Sequence, residues 1–171
     1  RSSDLNDGYR MGLNAKSKQD LLKAITNNWY WVLSASKMID ANYLENNFSE
    51  EELAEAGIYT RKEHTSNAKS FACGSATVEA YGSATVEAYG SAKVEAYGSA
   101  KVEAYDSATV EAYDSAKVEA YGSAKVEAYD NSYVEDCTGN INTVSDHGIV
   151  KDYHNHKIYI KKGKFKIIEI E

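Results

Sequence analysis

The sequence contains no long apolar run, and this absence excludes one class of protein. Nowhere in the 171 residues does the chain approach the run of about 18 apolar residues that a transmembrane helix needs. The first residues also lack the apolar centre of a secretory signal peptide. We therefore predict a cytoplasmic protein without a membrane-spanning segment, in which Met11 is the natural start and residues 1 to 10 are an added linker.

Motifs of catalysis and of cofactor binding are missing as well. The sequence has no glycine-rich phosphate loop, no nucleophile elbow and no cysteine spacing of the zinc-site type. An active site needs unique groups that converge in a pocket, whereas a repetitive chain supplies identical groups in rows. We expect no enzymatic activity and no cofactor.

The sequence instead contains an octapeptide, (Gly/Asp)-Ser-Ala-(Thr/Lys)-Val-Glu-Ala-Tyr, written seven times without a gap from Gly74 to Tyr129. In an α-helix, eight residues turn through about 800°, so the valines would spiral around the helix instead of forming a stripe. Read with a period of two, the octad has Ala, Val and Ala on one face and polar residues and Tyr on the other. Each octad is therefore predicted to be a short strand, preceded by a turn at the Gly or Asp position.

Short strands joined by tight turns at a fixed period are typical of a parallel β-solenoid. A three-sided coil of three octads would leave its axis unfilled, because an Ala-Val-Ala interior is thin and protein interiors are close-packed. We therefore predict a mainly β, two-sided solenoid with two octads in each 16-residue coil. The seven repeat valines and their flanking alanines would lie inside, and all seven repeat tyrosines outside.

The flanking segments are predicted to cap the array, as repeat proteins require. We assign residues 1–16 to a tail or linker, 17–65 to a helical N-terminal cap, 66–153 to the octapeptide solenoid and 154–171 to a C-terminal β cap. In the N-terminal cap, Asn27-Asn28 mark a break between helices, and Ser49 to Glu52 form a capping box for a short helix that ends at Gly57. In the C-terminal cap, residues 157–170 alternate around Lys162-Gly163, which predicts a β-hairpin.

The two cysteines, Cys73 and Cys137, both stand at the tyrosine position and lie eight octads apart. In a two-octad coil this separation is four coils, or roughly 19 Å, far beyond the ~7 Å between Cα atoms that a disulfide allows. We expect free thiols, which are compatible with a reducing compartment.

Charge is unevenly distributed along the chain. Residues 74–137 carry eight Glu, four Asp and four Lys, whereas residues 147–171 carry six Lys against three acids. A surface that binds nucleic acid needs positive charge along its length, so the acidic body argues against a nucleic-acid partner.

The repeat tyrosines are the strongest candidates for a binding surface. With two octads in a coil they form two ladders, one on each edge: Tyr81, Tyr97, Tyr113 and Tyr129, and Tyr89, Tyr105 and Tyr121. Tyrosine is favoured on surfaces that bind partners or sugars. The alternative is that stacked tyrosines only shield the corners of the solenoid.

Metal binding has weaker candidates. His147, His154 and His156 are concentrated with Asp146 and Asp152, and His154 and His156 would share one face of a strand. An ordinary polar cap is the favoured interpretation of this group. The stacked glutamates form a flat row that cannot surround a calcium ion, and lysines two residues before several of them would relieve their repulsion.

The segment NWYWVLSASKMIDANYLENNFSEEELAEAGIY, the run of GSAKVEAY octads and the closing DYHNHKIYIKKGKFKIIEI together resemble uncharacterised octapeptide-repeat proteins of gut bacteria and their phages. The resemblance covers most of the chain. It implies a bacterial or phage source and brings no catalytic residues.

We expect a non-catalytic structural or binding protein: a rigid scaffold or protein-interaction module with a protein partner. An acidic mimic of DNA that inhibits a nucleic-acid enzyme is the alternative. A carbohydrate-binding or ice-binding surface is less favoured, because lysines interrupt the threonines at positions 77, 85 and 109. Self-association remains open, and no membrane partner is expected.

Overall fold

The computed structural model describes residues 2–140 and 143–168, with side chains from Gly8 onward. Helical segments come first in the chain, and their bounds are α1 (Ser2–Asn14), α2 (Lys18–Asn27), a π-helical segment (Tyr30–Ala35), α3 (Ala41–Asn47) and α4 (Glu50–Glu55). None of these helices is long and apolar enough to cross a membrane.

Short strands make up the rest of the described chain. They are β1 (Ile58–Tyr59), β2 (Glu63–Ser66), β3 (Lys69–Ala72), β4 (Thr77–Ala80), β5 (Thr85–Ala88), β6 (Lys93–Ala96), β7 (Lys101–Ala104), β8 (Thr109–Ala112), β9 (Lys117–Ala120), β10 (Lys125–Ala128), β11 (Tyr133–Asp136), β12 (Thr143–Val144), β13 (Ile149–Asp152) and β14 (Lys157–Ile160). One sheet has the order β1-β3-β5-β7-β9-β11-β13-β14 and the other β12-β10-β8-β6-β4-β2.

The strand register confirms the two-octad coil. Within each sheet, a repeat strand pairs in parallel with the strand two octads away, so that Val86 lies beside Val102 and Val94 beside Val110. Consecutive octads therefore alternate between two facing sheets, and the chain forms a parallel β-solenoid of about six turns. Neighbouring coils are paired through the full length of each four-residue strand.

The inner face of the octads is buried as the period-two pattern predicts. All seven repeat valines are at most 1% exposed and the alanines of the same octads are fully buried, and this row of small side chains fills the space between the sheets. Because no larger side chain stands at these positions in the repeats, the solenoid stays thin and uniform along its length.

The turns between octads require a left-handed backbone, which explains the choice of Gly or Asp. Gly98 has φ +67° and Asp114 has φ +52° at equivalent positions of successive coils. Asp114 adds a bond that Gly cannot make, since its carboxylate accepts from the backbone N–H of Gly98 at 2.8 Å. Asp130 accepts in the same way from the N–H of Asp114 at 3.1 Å, so the acidic turns tie neighbouring coils together.

The N-terminal cap follows the sequence signals closely, with one addition. Helix α2 ends at Asn27, and Ser49 and Glu52 exchange the two bonds of a capping box, of 3.2 and 2.8 Å, at the start of α4. Gly57, with φ +71°, follows the end of α4. The addition is α1, which lies within the residues that the sequence assigned to a tail or linker.

The helices pack along one edge of the solenoid as well as over its first coil. Trp29 is 1% exposed, and its ring lies 4.9 Å from that of Phe71 and 6.1 Å from that of Tyr89. Tyr89 is consequently only 2% exposed. The prediction that all seven repeat tyrosines lie outside is therefore wrong for Tyr89: it points away from the valine core as expected, but the helical cap covers it.

The C-terminal cap is an antiparallel strand pair, as predicted, but its turn lies elsewhere. Strand β14 pairs with β13, so the connection is residues 153–156 and not Lys162-Gly163. The carboxylate of Asp152 fixes this earlier turn, because it accepts from the backbone and side-chain nitrogens of Asn155, both at 2.8 Å. Residues 164–168 form no strand, and the end of the predicted hairpin lies outside the described residues.

Candidate functional site

The tyrosine ladders occupy opposite edges of the solenoid, because each tyrosine is the last residue of its octad before the chain turns to the other sheet. The open ladder is formed by Tyr81, Tyr97, Tyr113 and Tyr129, whose successive ring centroids lie 4.9–5.0 Å apart with planes inclined by 7–9°. The covered ladder is formed by Tyr89, Tyr105 and Tyr121, with steps of 4.6 and 5.0 Å. The structure thus brings together the seven tyrosines in the two sets that the sequence predicts.

Every tyrosine of the open ladder is held by the glutamate two residues before it. The hydroxyl donates to a carboxylate oxygen at 3.0 Å in the pair Tyr81–Glu79, at 2.7 Å in Tyr97–Glu95 and at 2.5 Å in Tyr113–Glu111, and Tyr129 donates likewise to Glu127. These positions are neighbours on the outer face of a strand, since side chains alternate along it. Each ring is therefore held by stacking on its face and by a charge-assisted hydrogen bond at its hydroxyl.

The same hydrogen bonds shift the titration of the phenols. The bond to Glu127, followed by partial burial, raises the pKa of Tyr129 to about 12. The bond to Glu95 is the main cause of the raised pKa of Tyr97. A phenol is protonated near neutral pH even without this shift, and the bond directs each hydroxyl hydrogen to its glutamate.

Tyrosine hydroxyls, and not lysines, are the close partners of the stacked glutamates. On the outer faces of the described solenoid, the ion pair that forms is Lys69–Glu87, at 3.1 Å. The repeat lysines, which the sequence predicts will relieve glutamate repulsion, make no such pair among the described residues. Burial raises the pKa of Glu87, and the Lys69 ammonium opposes that shift.

The covered ladder differs from the open one because the helical cap lies on it. Tyr105 and Tyr121 donate to Glu103 and Glu119 at 2.7 Å, like the tyrosines of the open ladder. The hydroxyl of Tyr89 is buried and has no hydrogen-bond partner among the described residues. The ladder that is available to a partner over its full length is therefore the open one.

An apolar groove lies between the helical cap and the covered ladder. It has a volume of about 960 Å³, and its lining includes Leu13, Tyr30, Trp31, Met38 and Tyr105. Tyr30 lines the groove from the cap, with its ring 5.1 Å from that of Tyr105. Sequence reasoning missed this groove, although the run of aromatic residues at 29–31 puts apolar side chains on more than one side of a helical segment, which is a usable signal.

The histidines do not form the arrangement predicted for them. His154 and His156 are exposed and lie in the turn between β13 and β14, so they do not share a strand face. His147 is exposed and its ring meets that of Phe165 at 5.8 Å. Within residues 2–140 and 143–168, no group of three His, Cys, Asp or Glu side chains could hold a metal ion.

The burial of two aspartates was not predicted, although the sequence analysis names Asp152 beside the histidines. Asp136 and Asp152 stand at the position of the second alanine of the octad and are 0% and 1% exposed. Asp136 accepts from the backbone nitrogen and the hydroxyl of Thr138 at 2.8 and 2.6 Å. The replacement of Ala by Asp in the last two octad-like segments was the available signal, and both carboxylates serve to fix the turns that end the array.

The two cysteines are free, as expected, but their surroundings differ. Cys73 is 2% exposed beneath the helical cap, and burial raises the pKa of its thiol to about 12. Cys137 is exposed at the same edge of a later coil.

Comparisons with protein-family models, with curated proteins and with solved structures found no match, so the geometry of the ladders and of the groove is what supports a functional inference.

Proposed function

We propose that this protein is a non-catalytic structural and binding protein, a rigid β-solenoid that docks a protein partner on its open ladder. The observation that carries the proposal is the open ladder itself. Three successive steps of 4.9–5.0 Å set four nearly parallel tyrosine rings in one row, and each ring is tied to a glutamate.

Preorganisation is what makes such a strip suitable for binding. Ordering a side chain at an interface costs about 0.5–1.5 kcal/mol, and stacking together with the glutamate bond meets much of that cost before a partner arrives. Tyrosine also offers a large contact area with few rotatable bonds. Four such side chains in a row form a rigid surface with a large contact area for a partner.

The surroundings of the open ladder define the partner's chemistry. The carboxylates of Glu79, Glu95, Glu111 and Glu127 run along one side of the rings. The turns that follow the rings begin with Gly82 and Gly98 in the first two coils and with Asp114 and Asp130 in the last two. An aromatic strip with an acidic border along its whole length favours an extended partner segment with apolar residues flanked by basic ones.

The alternative functions fit the same surface less well. A mimic of DNA needs carboxylates that are free to engage a basic protein, whereas the tyrosine hydroxyls occupy one oxygen of each glutamate along the ladder. An ice-binding face needs a continuous threonine array, and Lys93 lies between Thr77 and Thr109 in the strand register. No residue group described above favours either function over a protein partner.

The proposal is tested by capturing partners from an extract of the source organism with the immobilised protein. The variant Tyr97→Ala with Tyr113→Ala removes the centre of the open ladder. The matched control, Ser99→Ala with Ser115→Ala, changes exposed turn residues of the same coils. We expect a protein retained by the wild type and the control, and lost by the tyrosine variant.

Retention of the same proteins by all three forms would contradict the proposal. Capture that survives the tyrosine changes but is lost when Glu95 and Glu111 become Gln, with nucleic-acid enzymes among the retained proteins, would favour acidic mimicry instead.

A further inference from the structure

Two groups of exposed apolar side chains remain without a partner in the described structure. The first lines the groove between the helical cap and the covered ladder, where Leu13 is 67%, Met38 64% and Tyr30 51% exposed. The second lies in the tail segment, residues 161–168, where Ile167 is 76% and Ile168 71% exposed. Soluble proteins rarely leave two such groups uncovered, and exposed apolar patches mark interaction sites.

The two surfaces are complementary in charge. The tail segment carries Lys161, Lys162, Lys164 and Lys166, and with Glu169 and Glu171, which follow it in the sequence, the end of the chain still has an excess of two positive side chains. Asp106 lines the groove, together with Tyr105 and Tyr121. Glu103 and Glu119 lie next to the groove, because they accept hydrogen bonds from the hydroxyls of these two tyrosines. The lysines of the tail segment would be attracted by the acidic residues beside the groove. The isoleucines of the segment and the apolar lining of the groove would then bury each other's exposed surface.

The tail segment does not occupy the groove of its own chain. The groove lies on the edge of the covered ladder, whereas the ring of Phe165 contacts His147. The backbone N–H of His147 bonds the carbonyl of Asp130, which places it on the edge of the open ladder. The two surfaces are thus on opposite edges of one molecule.

We propose that the tail segment of one molecule docks in the groove of a second copy. The volume of about 960 Å³ is large enough for the apolar side chains of the segment, since clefts of about 300–1,000 Å³ enclose most of a bound ligand. The contact is heterologous, because different surfaces meet, so each copy keeps one free groove and one free tail segment. Such contacts build open head-to-tail chains unless the rotation between copies closes a ring.

The first measurement is sedimentation velocity of the full chain over about a hundredfold range of concentration, since assembly follows mass action. We expect species beyond the dimer that grow with concentration, and weaker association at higher ionic strength because screening reduces the attraction of the lysines. A monomer at every concentration would refute the proposal.

Two variants block one surface each by placing charged side chains at its exposed apolar positions, and neither removes a lysine of the tail segment. The tail variant is Ile167→Lys with Ile168→Lys, and the groove variant is Leu13→Lys with Met38→Lys. All four positions are more than half exposed, so the monomer fold should be retained, which circular dichroism checks. We expect the apparent dissociation constant to rise at least about tenfold for each variant alone.

Mixing the two variants gives the decisive result. The tail variant keeps an intact groove and the groove variant keeps an intact tail segment. We therefore expect the mixture to form a one-to-one heterodimer that grows no further. A symmetric pairing through the outer edge of β14 would instead be insensitive to the groove variant and sensitive to Ile158→Lys, a change at an exposed residue of that strand. That outcome, or a mixture that stays monomeric while the wild type assembles, would overturn the proposal. The Tyr97→Ala, Tyr113→Ala variant should assemble as the wild type does, so the result is independent of the open ladder's partner.

Discussion

Substitution of a single core valine tests the energetics of the thin two-sheet interior. Val102 is 1% exposed and lies between Val86 and Val118 in its sheet. Val102→Ala removes two buried methyl groups, and burial of each such group contributes about 0.8 kcal/mol. The flanking residues on the inner face are alanines, which are too short to fill the space, so a cavity contribution adds to the loss. We expect a decrease of about 2–3 kcal/mol in the free energy of unfolding.

The measurement is urea denaturation followed by far-ultraviolet circular dichroism. The matched control is Glu103→Gln, one residue further along the same strand, where the amide oxygen can still accept from the hydroxyl of Tyr105. Because Glu103 lies on the outer face, its change should alter stability by at most about 0.5 kcal/mol. Equal midpoint shifts for the two variants, or a Val102→Ala effect as small as that of the control, would show that the inner and outer faces have been assigned incorrectly.

Three further outcomes follow from the described geometry. The folded-state pKa of Tyr129 is about 12 against 10.0 for a free tyrosine, so its contribution to stability is full below pH 10 and is lost as the pH rises toward 12. We expect a lower urea midpoint at about pH 11 than at about pH 9, and a smaller difference between the two midpoints in the variant Tyr129→Phe. A thiol reagent should label exposed Cys137 in the native protein and buried Cys73 only after denaturation, as mass spectrometry of the modified peptides can establish; equal labelling of both in the native state would contradict the packing of the cap. Deletion of residues 90–105, one complete coil, should leave a folded solenoid that is one coil shorter, because Tyr121 then takes the place of Tyr105 opposite Tyr30. Loss of the cooperative transition in thermal unfolding of the deletion variant would contradict this prediction.

The solenoid could be predicted from the sequence because its information is local and repeated. The alternation around each valine, such as Val94, fixes which side chains face inward, and Gly or Asp at the octad's first position fixes where the chain turns. A slip of one residue in any strand would turn its valine to the outer face, so the register within each strand is specified. The capping box at Ser49 is predictable for the same reason, since its two hydrogen bonds join residues three positions apart.

The failed predictions concern contacts between segments that are distant in sequence. The burial of Tyr89 depends on Trp29, which lies far earlier in the chain and carries no mark in the sequence of where it will pack. The choice of β13 as the partner of β14 depends on a backbone edge left open by the last coil, while the Lys162-Gly163 signal is purely local. Pairing of β14 with the open edge of β13 is favoured over a turn at Lys162-Gly163, because the edge supplies a complete row of hydrogen-bond partners.

The candidate binding surfaces arise where the repetition is broken. The two tyrosine ladders are built from the same octad, with the same spacing and the same tyrosine–glutamate bond, yet only one is covered. The difference comes from the helical cap, whose Trp29 and Tyr30 lie on Tyr89 and Tyr105 and leave the other edge free. The groove exists for the same reason, since one of its walls is the cap and its floor is the ladder. A repeat alone would give two equivalent edges, so the non-repetitive segments, and not the octads, determine which surface each kind of partner can reach.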